Sequence, residues 1–199
     1  FLNGQGFDLA GLRMTPDNVQ TPTRYGVFAN ATGVDATKVN ATPNSTGDDV
    51  LVTHNLGFTF RYPGGSTTTI RACTNGFVWL DGASTSTDLS PTVGEFLGAG
   101  GYAARLAPFW TDLHAGRNTA THPNSGLHVL TDTAGGPGHA KCYVTWFDVG
   151  LFNTVAAGGT AVVRMQCVLG EDGSVEYRYT IMPRFCGMNT QDGVAALVG

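Results

Sequence analysis

Apolar residues in this chain come in short runs that alternate with polar positions at a period of two, the spacing of a half-buried strand. Phe58-Thr59-Phe60-Arg61-Tyr62 is the clearest case, with three aromatics on one face and Thr59 and Arg61 on the other. Val50 to Thr53, Thr67 to Cys73 and Phe77 to Leu80 are further β-branched or aromatic runs, punctuated by Pro63-Gly64-Gly65-Ser66 and Thr74-Asn75-Gly76. Such runs between Gly, Pro and Asn clusters predict strands joined by tight turns. Phe77 and Trp79 would share one face of their strand and Val78 and Leu80 the other, so that strand is expected to be buried on both sides. Leu127 to Leu130, Lys141 to Val149, Ala161 to Leu169, Val175 to Ile181 and Val194 to Val198 repeat the strand pattern. Residues 83–101 and 114–126 are polar loops, the first with a helical turn near Glu95, and Tyr102 to Asp112 carries one more apolar run. About nine or ten short strands with frequent turns predict an all-β fold, an antiparallel β-sandwich or jelly-roll-like architecture.

The first 49 residues depart from this pattern. They are polar, spaced by Pro16, Pro22 and Pro43, with apolar patches at Phe7 to Leu12 and Tyr25 to Phe28. They predict an extended N-terminal arm over residues 1–49 ahead of a β-sandwich domain over 50–199. An arm of this kind either folds back on its own domain or lays a strand on a neighbour's sheet edge.

Composition narrows the classes. Of 199 residues 28 are glycine, 13% are charged, Glu occurs three times, and Lys38 and Lys141 are the only lysines. A helical bundle or coiled coil needs far more Ala, Glu, Lys and Leu. The net charge of −4 without a basic cluster argues against nucleic acid as a partner. No apolar run reaches the length of a membrane-spanning helix. Scarce lysine also removes the commonest protection of exposed sheet edges. A surface covered by copies of the chain, by other surface proteins or by glycans is therefore expected. Three N-x-[ST] sequons, at Asn30, Asn40 and Asn44, offer glycosylation sites. The chain opens on Phe1 without a leader-like segment, as expected of a processed product or a piece of a longer protein.

Four cysteines, Cys73, Cys142, Cys167 and Cys186, contain no C-x-x-C pair, which argues against a zinc ribbon. A hairpin of 141–149 with 161–169, centred near residue 154–155, would set Cys142 directly opposite Cys167, close enough for a disulfide. Cys73 with Cys186 follows by elimination. The competing expectation is four buried thiols in a reducing compartment.

Motif order adds a resemblance. Leu56-Gly57-Phe58-Thr59-Phe60, then Thr74-Asn75-Gly76-Phe77, then Ala107-Pro108-Phe109-Trp110-Thr111-Asp112, then the hairpin from Val162 to Tyr179 around Gly170-Glu171-Asp172-Gly173, follow in sequence. This order resembles all-β extracellular modules of large secreted bacterial proteins and, more loosely, the nidogen-type extracellular domain. The resemblance covers residues 50–199. It implies placement outside the cell, at a cell surface or virion exterior, and a structural or adhesive, non-enzymatic role. A self-assembling subunit of a filament, layer or virion is one form of that role.

Candidate chemistry is sparse. Asp112, His114 and His122 carry metal-ligand chemistry in one polar loop, at a spacing that matches no established site. No cofactor motif is present. Calcium is the ion that acidic turns such as Asp48-Asp49, Asp81, Asp88 and Glu171-Asp172 could take. A carbohydrate-binding module would stack sugars on Trp79, Trp110 or Trp146, although all three lie in apolar runs that fit a core. A secreted hydrolase would draw on Ser84, Ser86, Ser90 or Ser125 with His54, His128 or His139, or on Glu95, Asp112, Asp148, Glu171 and Glu176. Neither G-x-S-x-G nor H-E-x-x-H is present.

Overall fold

The computed structural model describes residues 12–29, 32–98, 101–117, 119–152 and 162–182. Eleven strands occur among them, in two antiparallel sheets. The larger sheet takes β1 (Leu12–Pro16), β2 (Tyr25–Ala29), β7 (Leu113–His114), β8 (Gly126–Asp132), β9 (Lys141–Leu151), β10 (Val162–Gly170) and β11 (Val175–Ile181). Its order is β2-β1-β11-β10-β9, and β9 then pairs with β8 along most of its length and with β7 at its end. The smaller sheet is β3 (Leu51–Tyr62), β4 (Gly65–Cys73), β5 (Phe77–Trp79) and β6 (Arg105–Leu106), in that order. The all-β sandwich expectation holds. The Val194 to Val198 strand and the Phe7 to Leu12 patch, except Leu12, lie outside the described residues.

The two sheets enclose one apolar core that includes Phe60, Ile70, Trp146, Val163, Met165 and Leu169. A second, smaller cluster of Cys73, Phe77, Trp79, Ala107 and Trp110 lies on the other face of the small sheet. β5 sits between them, so its alternation places Val78 in the first cluster and Phe77 and Trp79 in the second. Removing that much apolar and aromatic area from water, at about 25 cal/mol per Å², is what holds the layers together. β3 joins two runs that the sequence separates. Gly57, in the left-handed region at φ 75°, lets the strand break register between Asn55 and Phe60 and resume.

The arm is built into the domain. β1 pairs with β11, Leu12 opposite Tyr177, and β2 pairs with β1, so residues 12–29 extend the large sheet in cis. Residues 32–38 then cross its outer face. Asp35 N–H donates to Gln166 Oε1 at 3.2 Å, Gln166 Nε2 donates back to the Asp35 carbonyl at 3.3 Å, and Val34 N–H donates to Thr180 Oγ1 at 2.9 Å. Glu176 and Arg178 on this face, which simple alternation would leave in solvent, are buried. Arg178 Nη2 donates to Glu176 Oε2 at 2.5 Å.

The β9–β10 register differs from the expected one. Val162 faces Gly150, which centres the connection at residue 156, and Cys142 therefore faces Leu169 while Cys167 faces Val144. The two cysteines share an apolar face but are offset by two residues. Cys73, Cys142 and Cys167 are free, buried thiols, so the Cys142–Cys167 bridge is corrected. Cys186, the expected partner of Cys73, lies outside the described residues. Burial pushes the Cys73 and Cys142 thiols up to about 12 and Cys167 upward as well, which makes them unreactive packing groups.

Alternation from Cys142 through Val144 and Trp146 would put Asp148 on the same apolar face, and a bulge corrects this. Between the pairs Val163–Val149 and Met165–Trp146, β9 carries two residues against one on β10. Asp148 takes φ 54°, turns away from the Trp146 face, and accepts two hydrogen bonds of 2.8 Å from Arg164.

Candidate functional site

Asn75 organises the region that collects most of the candidate residues. It sits in the β4–β5 turn, fully buried. Its Nδ2 donates to Asp49 Oδ1 and to the Thr87 carbonyl, both at 2.7 Å, and its Oδ1 accepts from Leu113 N–H at 3.0 Å. Its main-chain carbonyl accepts from Thr111 N–H, and that of Gly76 accepts from Phe109 N–H. The N-G-F and A-P-F-W-x-D motifs are thus two halves of one junction. Gly76, at φ 82°, is required there, because a Cβ would overlap the Phe109 carbonyl oxygen.

The junction brings three carboxylates together. Asp49 is in the left-handed region at φ 51°, Asp48 pairs in an isolated bridge with His114, and Asp112 follows the Thr111 contact. Carboxylate oxygens of Asp48, Asp49 and Asp112 lie within 4.8 Å of one another. Burial, then the charges of Asp48 and Asp49, hold the Asp112 carboxyl above its ordinary range, with His114 and Arg117 acting against them. Asp48 Oδ1 and His114 Nδ1 are buried without a hydrogen-bond partner. Chemically, three clustered carboxylates offer hard oxygen ligands of the kind calcium takes, and otherwise they repel one another. The expected trio of Asp112, His114 and His122 is not assembled. His114 stacks on Phe152, and His122 bonds Thr121 in its own loop at 3.0 Å. Nothing in the sequence signalled that Asp48 and Asp49 join Asp112, because Asn75 makes that link through space.

The other acidic turns are occupied as caps. Asp81 accepts from Ala83 and Ser84 N–H, Asp88 from Ser90 N–H, Glu171 from Ala140 N–H, and Asp172 from Ser174 N–H. Several hydrolase candidates also make structural hydrogen bonds. Ser125 Oγ lies 2.8 and 2.9 Å from the Ala115 and Asp148 carbonyls, which share its single proton. His128 Nε2 meets the Asn124 carbonyl and His54 Nε2 meets Thr131 Oγ1, both at 2.9 Å. Ser84 Oγ donates to Asp81, Ser86 Oγ accepts from Asp88 N–H, and Glu95 caps with Thr92. Among the sequons, Asn40 Nδ2 donates to Asn44 Oδ1 and the Val129 carbonyl, while Asn44 Oδ1 also accepts from Val129 N–H. Asn30 lies outside the described residues.

A family model described as NIDO related matches residues 20–199, and that span takes in β2 as well as the late hairpin. The chain belongs to the NIDO-related family. The match supports the nidogen-like resemblance carried by the ordered motifs, and it begins inside the segment that the pattern set apart as an arm. No curated protein and no solved structure matches the chain.

In this NIDO-related chain the three tryptophans are core groups, with exposures of 1% for Trp79 and 0% for Trp110 and Trp146. None presents a face on which a sugar ring could stack, which corrects that candidate set. Each indole N–H instead ties a segment down: Trp79 to the Ser86 carbonyl at 3.0 Å, Trp110 to the Asp88 carbonyl at 2.7 Å, and Trp146 to the Cys73 carbonyl at 2.9 Å. The Arg105 guanidinium lies 4.0 Å from the Trp79 ring centre and 4.3 Å from that of Trp110. The loop leading to α1 (Val93–Phe96) is thereby pinned over the second cluster, with Leu89, Val93 and Leu97 facing solvent.

Proposed function

We propose that this NIDO-related chain is a non-enzymatic, extracellular structural or adhesive module. It presents sheet edges and apolar surface to copies of itself or to other surface proteins. The observation that supports this most is where its polar side chains go. Ser125, His128, Asp148 and Glu176 are buried and committed to carbonyls or to arginines, so these polar groups brace strands and bulges. The nidogen-like family supports the placement outside the cell. An apolar exterior that includes Val27, Phe28, Val93 and Leu97 supports contact with other proteins.

Two measurements test it together. Protease treatment of intact producing cells should remove the chain, and beads coated with it should aggregate or bind those cells. A panel of esters, peptides and glycosides should give no turnover above buffer. Saturable turnover abolished by one substitution, or full protection inside intact cells, would overturn the proposal.

A further inference from the structure

We infer that β2 pairs with the β2 strand of a second copy across a two-fold axis centred on Val27, joining two large sheets into one. This rests on the structural role proposed above and names the surface that carries it.

The hydrogen-bond pattern of the β1–β2 hairpin decides which backbone groups find no partner among the described residues. Asp17 N–H donates to the Arg24 carbonyl at 3.1 Å, in the same register that pairs Thr15 with Gly26 and Arg13 with Phe28. In an antiparallel ladder bonded and non-bonded pairs alternate. Gly26 and Phe28 therefore spend their backbone groups on β1, while Tyr25, Val27 and Ala29 turn theirs outward. Pro16 fits this phase, since it faces Tyr25 in a non-bonded pair, where its missing N–H leaves nothing unpaired.

Those outward groups are symmetric about Val27. A two-fold copy sets Val27 opposite Val27 and Tyr25 opposite Ala29, and all three residues on each strand find partners. The non-bonded positions then set Phe28 of each copy against Gly26 of the other, the close pairing in which a ring needs a neighbour without a Cβ. Within its own strand the Phe28 ring lies 3.1 Å from where a Gly26 Cβ would stand, so glycine at 26 leaves room on that face for the ring.

Charge and exposure favour a second copy over an unlike partner. Tyr25 to Ala29 carries no charge, so two identical strands meet without repulsion. Val27 and Phe28 are 60% and 56% exposed. The strand shows none of the devices that block edge pairing, neither lysine nor proline nor a bulge. A five-residue edge is short, which places the contact among weak, reversible interfaces. The symmetry closes at two copies.

Sedimentation velocity of the whole chain from micromolar to millimolar concentration tests this. The mass should rise from 20.8 kDa towards twice that value and stop. Val27→Lys places two like charges face to face and should weaken association at least tenfold with the melting temperature unchanged. On a Cys186→Ser background, Val27→Cys should oxidise to a covalent dimer faster than Leu97→Cys, whose site is 75% exposed but off the edge. A monomer at every concentration, undiminished association of Val27→Lys, equal cross-linking of both cysteine variants, or mass growing past the dimer would each overturn it. Failure of the structural role would appear elsewhere, as turnover in the substrate panel or protection of the chain inside cells.

Discussion

Asn75→Ala is expected to be among the most damaging single substitutions in this protein. The side chain is fully buried and makes three hydrogen bonds to three segments distant from one another in the chain. Truncation leaves the buried Leu113 N–H without its partner and leaves the half-buried Thr87 carbonyl with only the weak contact from Cys73 Sγ at 3.8 Å. Each unsatisfied buried group costs about 1–3 kcal/mol. Asp49 is exposed and recovers water, so its share is small. The lost packing and the weakened Thr87 carbonyl add to the one orphaned N–H, and the sum is about 3–4 kcal/mol. That is a large fraction of a typical stability of about 5–15 kcal/mol, and it lowers the melting temperature by roughly 10 °C or more for a chain of this size. Urea unfolding followed by tryptophan fluorescence measures it, with the loss appearing as a shifted midpoint at unchanged slope. Asn75→Asp keeps the acceptor for Leu113 but sets a carboxylate against Asp49 and the Thr87 carbonyl. It should be at least as damaging at neutral pH and recover partly in acid. A loss below about 1 kcal/mol for Asn75→Ala would refute the assignment of Asn75 as the hub.

The remaining expectations concern titration, modification and thiols. Asp112 is held above its ordinary range, so ionising it opposes folding: its penalty is absent in acid and develops as pH rises from the unfolded towards the folded value. Asp112→Asn, measured in EDTA, should therefore be more stable than the wild type at neutral pH and equal to it in acid; a destabilised variant at neutral pH would refute the repulsion. Burial holds His128 below its usual value, so the unfolded chain takes up a proton first. Stability should begin to fall as pH drops below about 6.5, and His128→Gln should flatten the profile there; an unchanged slope would count against it. In a glycosylating host, peptide mapping should find glycan on Asn44 in preference to Asn40. The Asn40 amide nitrogen is engaged by two acceptors, whereas Asn44 uses its oxygen. Iodoacetamide should leave Cys73, Cys142 and Cys167 unlabelled in the folded chain and label all three in denaturant, without prior reduction. A reducible Cys142–Cys167 peptide would refute the register.

Local pattern made the strands legible because period and burial are local properties. β5 was readable as buried on both sides, and the Gly170 to Gly173 turn set the β10–β11 hairpin correctly. Where non-local geometry rules, the sequence was silent or misleading. A single inserted residue at Asp148 reversed its expected face, and a connection centred a residue or two later moved Cys167 away from Cys142. Residues 12–29 lacked a long apolar run, yet they complete the large sheet because β11 supplies the partner. The Asn75 turn was legible as a turn, since Asn-Gly suits positive φ. Its side-chain contacts with residues 49, 87 and 113 were not, because spacing carries no information about which loops meet.

The pairing of β1 with β11 also sets a timetable. Leu12 contacts Tyr177, nearly the full length of the chain away. A ribosome delivers the first of these long before the second, and closing so large a loop is slow compared with forming a hairpin. Until Val175 to Ile181 has emerged, the early hairpin has no sheet to join, and both of its edges stand open while the rest is made. The strand that lies outermost in the finished molecule is therefore synthesised well before the strand that secures it. Factors that hold nascent chains apart would find their substrate in that interval.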